Sequence, residues 1–302
     1  SRSSLNIFIN NSFLFLSSCT IEEAFDEQID TPETTQEYPG YFILSGGSYR
    51  TKVTYSGDAM SSYFQDGELL GAFALDQDMV PLTGRPINAC YKVVVTEETH
   101  LETGEKIRIL EPNSENDDLR KDGEGIPAYY MFYYPYDSSL QSLDDLKQYE
   151  HSVAINQNSR EVFQTSDLLW DITSPAQDIT GTAEYVWVEM DHAMSQIIVE
   201  VDPDLIDKGT VPTLLNLPVS VSPINLLKES LDDMDASLNV EGQYMTGTSD
   251  AEREDIVMWE FGKANSGNYM FRAVVPANHT LIPGSSIVTL IHKGAQKTYK
   301  LT

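Results

Sequence analysis

The side chains able to do chemistry are few and lie far apart. His100, His151, His192, His279 and His292 show no spacing that would gather them around a metal ion. No Gly-rich phosphate loop, His-Glu-x-x-His, Cys-x-x-Cys or Gly-x-Ser-x-Gly occurs. Asp232, Asp233 and Asp235 are close enough for a calcium loop, but its glycine and its closing glutamate are missing, so they read as a solvated acidic turn. Asp202 and Asp204 bracket Pro203 and read as a turn as well. Cys90 lies within Ile87 to Val93, which reads as the start of a strand, where an inert buried thiol is expected. His192 is expected to be a structural hydrogen-bonding residue beside a strand bulge, a metal ligand being the other reading. No catalytic residue, metal or cofactor is expected, and an enzyme is not.

Cys19 is the exception. Residues 5–16, LNIFINNSFLFL, have the length and apolarity of a signal-peptide core, and Leu16-Ser17-Ser18-Cys19 follows directly. That order resembles a bacterial lipobox, which implies lipidation at Cys19 and makes residues 1–18 the remnant of a signal peptide. Behind it, Glu22, Glu23, Asp26, Glu27, Asp30 and Glu33 alternate with Thr, Gln and Pro. With too little apolar content to pack, residues 19–40 read as a flexible acidic tether. Acidic residues behind a lipidated cysteine resemble the export tag of surface lipoproteins in Bacteroidales bacteria.

The elements that must position any site are strands. At 302 residues, 41% apolar and 10% aromatic, the chain has enough core-forming residues for two domains. A net charge of −28 repels phosphate backbones, so no nucleic-acid partner is expected. No run reaches the ~18 apolar residues of a membrane-spanning helix. Short β-branched or aromatic runs are expected as strands at 41–55, 69–74, 91–95, 106–110, 129–136, 153–156, 162–165 and 168–170, with one helix over 143–149. A second series covers 185–192, 196–201, 214–221, 237–240, 256–261, 269–275, 287–292 and 298–301. The polar stretch 174–181 separates the two, giving domains at 41–173 and 182–302. The apolar parity of Val186, Val188 and Met190 is opposite to that of Ile197, Val199 and Val201, which predicts a turn or bulge near 192–196. The fold class is all-β, antiparallel, with few short helices.

An ordered set of motifs carries a family resemblance. It runs through Tyr49-Arg50-Thr51, Tyr55-Ser56-Gly57-Asp58, Phe64-Gln65-Asp66-Gly67-Glu68-Leu69-Leu70-Gly71, Tyr134-Pro135-Tyr136 and Ser166-Asp167-Leu168-Leu169-Trp170. It continues through Val186-Trp187-Val188-Glu189-Met190-Asp191-His192, Val274-Val275-Pro276 and Gly294-Ala295-Gln296-Lys297-Thr298-Tyr299. Over roughly 41–302 the chain resembles the fimbrillin-like proteins, or type V pilins, of Bacteroidales bacteria. The resemblance implies two tandem transthyretin-like β-sandwiches and a lipoprotein or fimbrium at the outer-membrane surface. It also implies other pilin subunits as partners, joined by strand exchange. In shaft-forming members a protease cuts after an arginine that ends the first strand. Arg50 matches that position, with Thr51 following; an ordinary outward-facing strand arginine is the other reading. The last expected strand is followed by no further donor segment, so an anchor or tip role stands beside a shaft role. The alternative function is a monomeric surface lipoprotein that binds a glycan or host ligand through sandwich loops, with the aromatics of 129–136 as contacts.

Overall fold

The computed structural model describes residues 5–11, 41–44, 64–99, 106–120, 127–142, 144–145, 148–173, 185–224, 252–276 and 283–300. The expected tether, the Asp232 cluster, the strand at 237–240, the boundary segment 174–181, residues 143, 146 and 147 of the expected helix at 143–149, His100 and His279 lie outside these residues, while Tyr149, the last residue of that expected helix, opens a strand. The fold is all-β. In chain order the strands are β1 (Leu5–Asn11), β2 (Tyr41–Leu44), β3 (Leu69–Leu75), β4 (Ala89–Thr99), β5 (Lys106–Pro112), β6 (Tyr129–Tyr134), β7 (Tyr149–Ser152), β8 (Leu169–Thr173) and β9 (Tyr185–Val188). They continue as β10 (Asp191–His192), β11 (Ser195–Val201), β12 (Thr213–Pro218), β13 (Ser220–Ile224), β14 (Arg253–Val257), β15 (Trp259–Lys263), β16 (Tyr269–Val275), β17 (Ser286–His292) and β18 (Ala295–Lys300).

The first half is one eight-stranded sheet in the order β10-β8-β6-β3-β4-β5-β2-β9. Flat, its outer strands would stand about 34 Å apart. Yet β9 and β10 are its two ends, and only Glu189 and Met190 join them, a reach of about 11 Å. The sheet therefore curls over on itself. Its inner face follows from the period of two: Leu70, Ala72 and Ala74 of β3 meet Tyr130, Phe132 and Tyr134 of β6 in one core. The alternate residues Phe73, Leu75, Met131 and Tyr133 enter a second core shared with the other half of the chain. Strands buried on both faces explain the unbroken apolar reading of Tyr129–Tyr134.

The second half is two facing four-stranded sheets, β1-β11-β16-β15 and β14-β12-β17-β18. Ile197, Val199, Phe271 and Ala273 from one face meet Leu214, Ile256, Val288 and Leu290 from the other. Met258 alone links β14 to β15, so those two edges lie side by side. By the same alignment, β1 and β18 are the edges on the opposite flank.

Three expectations are corrected here. The second half does not begin at 182: β9 and β10 still belong to the first sheet, and the chain changes sheets at Ala193–Met194, where the parity reverses. Residues 162–165 are not a strand. They fall in α1 (Arg160–Thr165), where the Ser159 side chain accepts the Val162 N–H, a cap that outweighs β-branched Val162 and Thr165. Nor is the fold wholly antiparallel, because β2 and β9 run parallel.

Arg272 of β16 locks α1 to the second half. Its guanidinium lies 4.4 Å from the Phe163 ring, 4.5 Å from Trp259 and 4.7 Å from Phe261.

Candidate strand-exchange slot

Cys19, Arg50 and Thr51, the three site residues expected from sequence, lie outside the described residues. The strand that precedes Arg50 is described, and its setting is unusual. β2 is four residues long and is inserted between β5 and β9. Phe42, Ile43 and Leu44 pair antiparallel with Leu110, Ile109 and Arg108. On its other side, Tyr41 to Leu44 pair in parallel with Tyr185 to Val188, an arrangement slightly weaker per residue than an antiparallel one.

The side chains of β2 are a core component rather than a cover. Phe42 is fully buried, with its ring edge-on to Tyr91 at 5.5 Å, Tyr130 at 4.8 Å and Phe132 at 5.0 Å. Leu44 shares that core and Ile43 is buried as well. Burying three such side chains stabilises the sheet by roughly 6 kcal/mol. That is comparable with the whole stability of a domain. Without β2, a slot lined by Tyr91, Tyr130 and Phe132 would open between β5 and β9, with ladder groups unpaired on both sides.

A second N-terminal strand sits in the other half. β1, expected from sequence as part of a leader, pairs antiparallel along the full length of β11, from Leu5 opposite Val201 to Asn11 opposite Ser195. Every residue of β11 is buried, as in a central strand, and β1 supplies its outer neighbour. Among the described residues, both strands that precede Arg50 therefore complete sheets whose other strands follow it.

Around the slot, the polar groups serve structure. His192 Nδ1 lies 2.7 Å from Asp167 Oδ2, and the Ala193 N–H donates to the Leu168 carbonyl. These bonds fix the point where the chain leaves β10 for β11, the structural role expected of His192. The Tyr134 hydroxyl donates to Glu68 at 3.3 Å, and burial raises the pKa of that carboxyl. Cys90 is a buried free thiol. Burial, with the Asp117 carboxylate adding to it, pushes its pKa up to about 11, so it stays protonated and unreactive. Among the described residues no three His, Cys, Asp or Glu side chains are grouped to hold a metal. Asp202 accepts the Asp204 N–H at 2.9 Å, the turn expected there. The aromatics Tyr130, Phe132, Tyr133 and Tyr134 are buried, so they present no surface to a ligand. Sequence reasoning missed β9 as the partner of β2; its alternation was visible, but nothing local marks a parallel neighbour.

No family model matches the chain, and no curated protein matches it. Three solved structures are similar to it. A candidate cell adhesion protein from Bacteroides ovatus is 14% identical, with 86% of this chain and 84% of that one covered and a TM-score of 0.49. One from Bacteroides uniformis is 15% identical over the same shares, with a TM-score of 0.47. A third, from Bacteroides thetaiotaomicron, is 12% identical, covers 78% of this chain and 71% of that one, and has a TM-score of 0.32.

Proposed function

We infer that this chain is a surface adhesion protein of the fimbrillin kind, an anchor, tip or shaft subunit that joins others by strand exchange. The observation that carries this reading is β2, a short strand lodged between β5 and β9 with Phe42 at the centre of an aromatic core. A cut after Arg50 would sever β2 from the body of the chain, and β1 with it. The main chain of β5 and β9 would then accept a strand from another subunit. The slot around Tyr91, Tyr130 and Phe132 would select a large apolar side chain at the Phe42 position. Lipidation at Cys19, with loss of residues 1–18 and so of β1, would hold a chain not cut after Arg50 at the outer membrane, which suits an anchor; loss of the first fifty residues suits a shaft.

The test is exchange. Purified chain is treated with an Arg-specific protease and mixed with a fluorescent peptide spanning Tyr38–Arg50. The reading requires the peptide to enter the cut chain and not the uncut one, and a peptide carrying Phe42→Ala to fail. A cut chain that never takes up the peptide contradicts it.

A further inference from the structure

Charge is unevenly placed along this chain. Glu260 is the last acidic residue; everything from Phe261 to Thr302 lacks Asp and Glu but holds Lys263, Arg272, Lys293, Lys297 and Lys300. At the other end, no Lys, Arg or His occurs between Arg2 and Arg50. Residues 20–37 there carry Glu22, Glu23, Asp26, Glu27, Asp30, Glu33 and Glu37.

The acid-free region contains a strand that is an edge among the described residues. β18 is hydrogen-bonded to β17 on one side and is the outermost strand of its sheet among the described residues. Its residues are exposed except for half-buried Tyr299. Lys297 and Lys300 on the strand and Lys293 in the preceding turn make no ion pair with any described residue. The turn is rigid: Asp207 accepts the Lys293 and Gly294 N–H groups, each at 2.7 Å. Lysines on an edge ordinarily repel added strands, because pairing would strip them of water. A strand that brings carboxylates opposite them converts that barrier into cross-strand attraction.

Net charge then selects the partner. Two copies at −28 repel each other in most orientations. The favourable meeting sets the acid-free edge of one against the base-free segment of the other. We propose that β18 is a docking edge for residues 20–37 of a second copy, which add as an outer strand with carboxylates against Lys293, Lys297 and Lys300. Pro32 is compatible with this because an outermost strand tolerates a missing N–H on its solvent side. The contact is heterologous, so each copy offers one edge and one segment, and copies associate head to tail. It concerns the uncut chain and needs no strand exchange, so it stands apart from the slot at β2.

The experiment uses intact protein, half of it labelled with nitrogen-15, cross-linked by a zero-length carbodiimide and mapped by mass spectrometry. Links between the lysines of one copy and the carboxylates of 20–37 in the other are expected. Sedimentation should show association that weakens roughly tenfold in Lys297→Glu/Lys300→Glu. Association should return when that variant is mixed with one carrying Glu22→Lys, Glu23→Lys, Asp26→Lys and Glu27→Lys. Links confined to single copies, no links at all, or association indifferent to the reversals would overturn the proposal.

Discussion

Gln157 and Val274 are joined by two hydrogen bonds through a single side chain. The Val274 N–H donates to Gln157 Oε1 and Gln157 Nε2 donates to the Val274 carbonyl, each at 2.8 Å. One carboxamide thus completes the ladder of β16 as a neighbouring strand would, and it ties the first half of the chain to the second. The Gln157 N–H adds a bond to the Val257 carbonyl at 3.0 Å, and β7 pairs with β13 nearby. The two halves share one core as a result. Replacing Gln157 with Leu leaves both Val274 groups unsatisfied in a fully buried place. We expect a loss of about 2–4 kcal/mol, read from urea unfolding followed by tryptophan fluorescence. A change under ~0.5 kcal/mol would show that the bonds do not couple the halves.

Phe42→Ala tests the setting of β2. It removes three edge-on ring contacts and leaves a cavity among Tyr91, Tyr130 and Phe132, at a cost of about 3–5 kcal/mol. Since β2 is held by four residues, the loss should fall first on this strand. Cleavage after Arg50 by limiting Arg-specific protease should become faster, with the body of the chain still folded by circular dichroism.

Gly71 lies beneath the ring of Tyr133, which occupies the place a Cβ would take. The Tyr133 hydroxyl is held by Asn88 Oδ1 at 2.6 Å and by the Asp137 N–H at 3.2 Å, so the ring cannot swing aside freely. Gly71→Ala should destabilise by about 2–3 kcal/mol. With Tyr133→Ala already present the same change should cost far less, and a thermal-denaturation double-mutant cycle measures the difference.

His151 gives the fold a dependence on pH. It is buried, with Nε2 donating to the Ser166 carbonyl at 2.9 Å. Burial holds its pKa below the ordinary 6.5, against the smaller opposing effect of that bond. The unfolded chain therefore takes up a proton near pH 6.5 that the folded chain refuses, and stability falls as pH drops from there to the depressed folded value. His151→Gln keeps a donor and removes the titration. Denaturation midpoints compared at about pH 8 and about pH 5 should show a smaller fall in the variant than in the unaltered chain.

Strand positions were legible because their aromatic and β-branched runs are broken by turn residues. β3, β6, β11, β16 and β17 lie within a residue or two of the expected spans. Parity carried further than composition: the reversal between Val188 and Ile197 marks a turn or bulge near 192–196, and it is there, at Ala193–Met194, that the chain leaves the first sheet. What local sequence does not hold is the choice of distant partner. Nothing in Tyr41–Leu44 names Tyr185–Val188 as its parallel neighbour, and nothing in Leu5–Asn11 distinguishes a leader's apolar run from a strand for β11. Nothing local marks Gln157 either, because its role depends on Val274, which lies far along the chain. In α1 the strand-like look of Val162 and Phe163 competes with the cap that Ser159 supplies, and the cap prevails.

β2 fills a slot between β5 and β9, and under the proposed function a strand from another subunit takes its place. Purified chain is cut after Arg50, the released fragment is removed, and the product is followed by intact mass and electron microscopy. Strand exchange predicts loss of everything before Thr51 and fibres or oligomers that dissociate when excess Tyr38–Arg50 peptide is added. A cut product that stays folded and monomeric, with the slot unfilled and the peptide unbound, would contradict it.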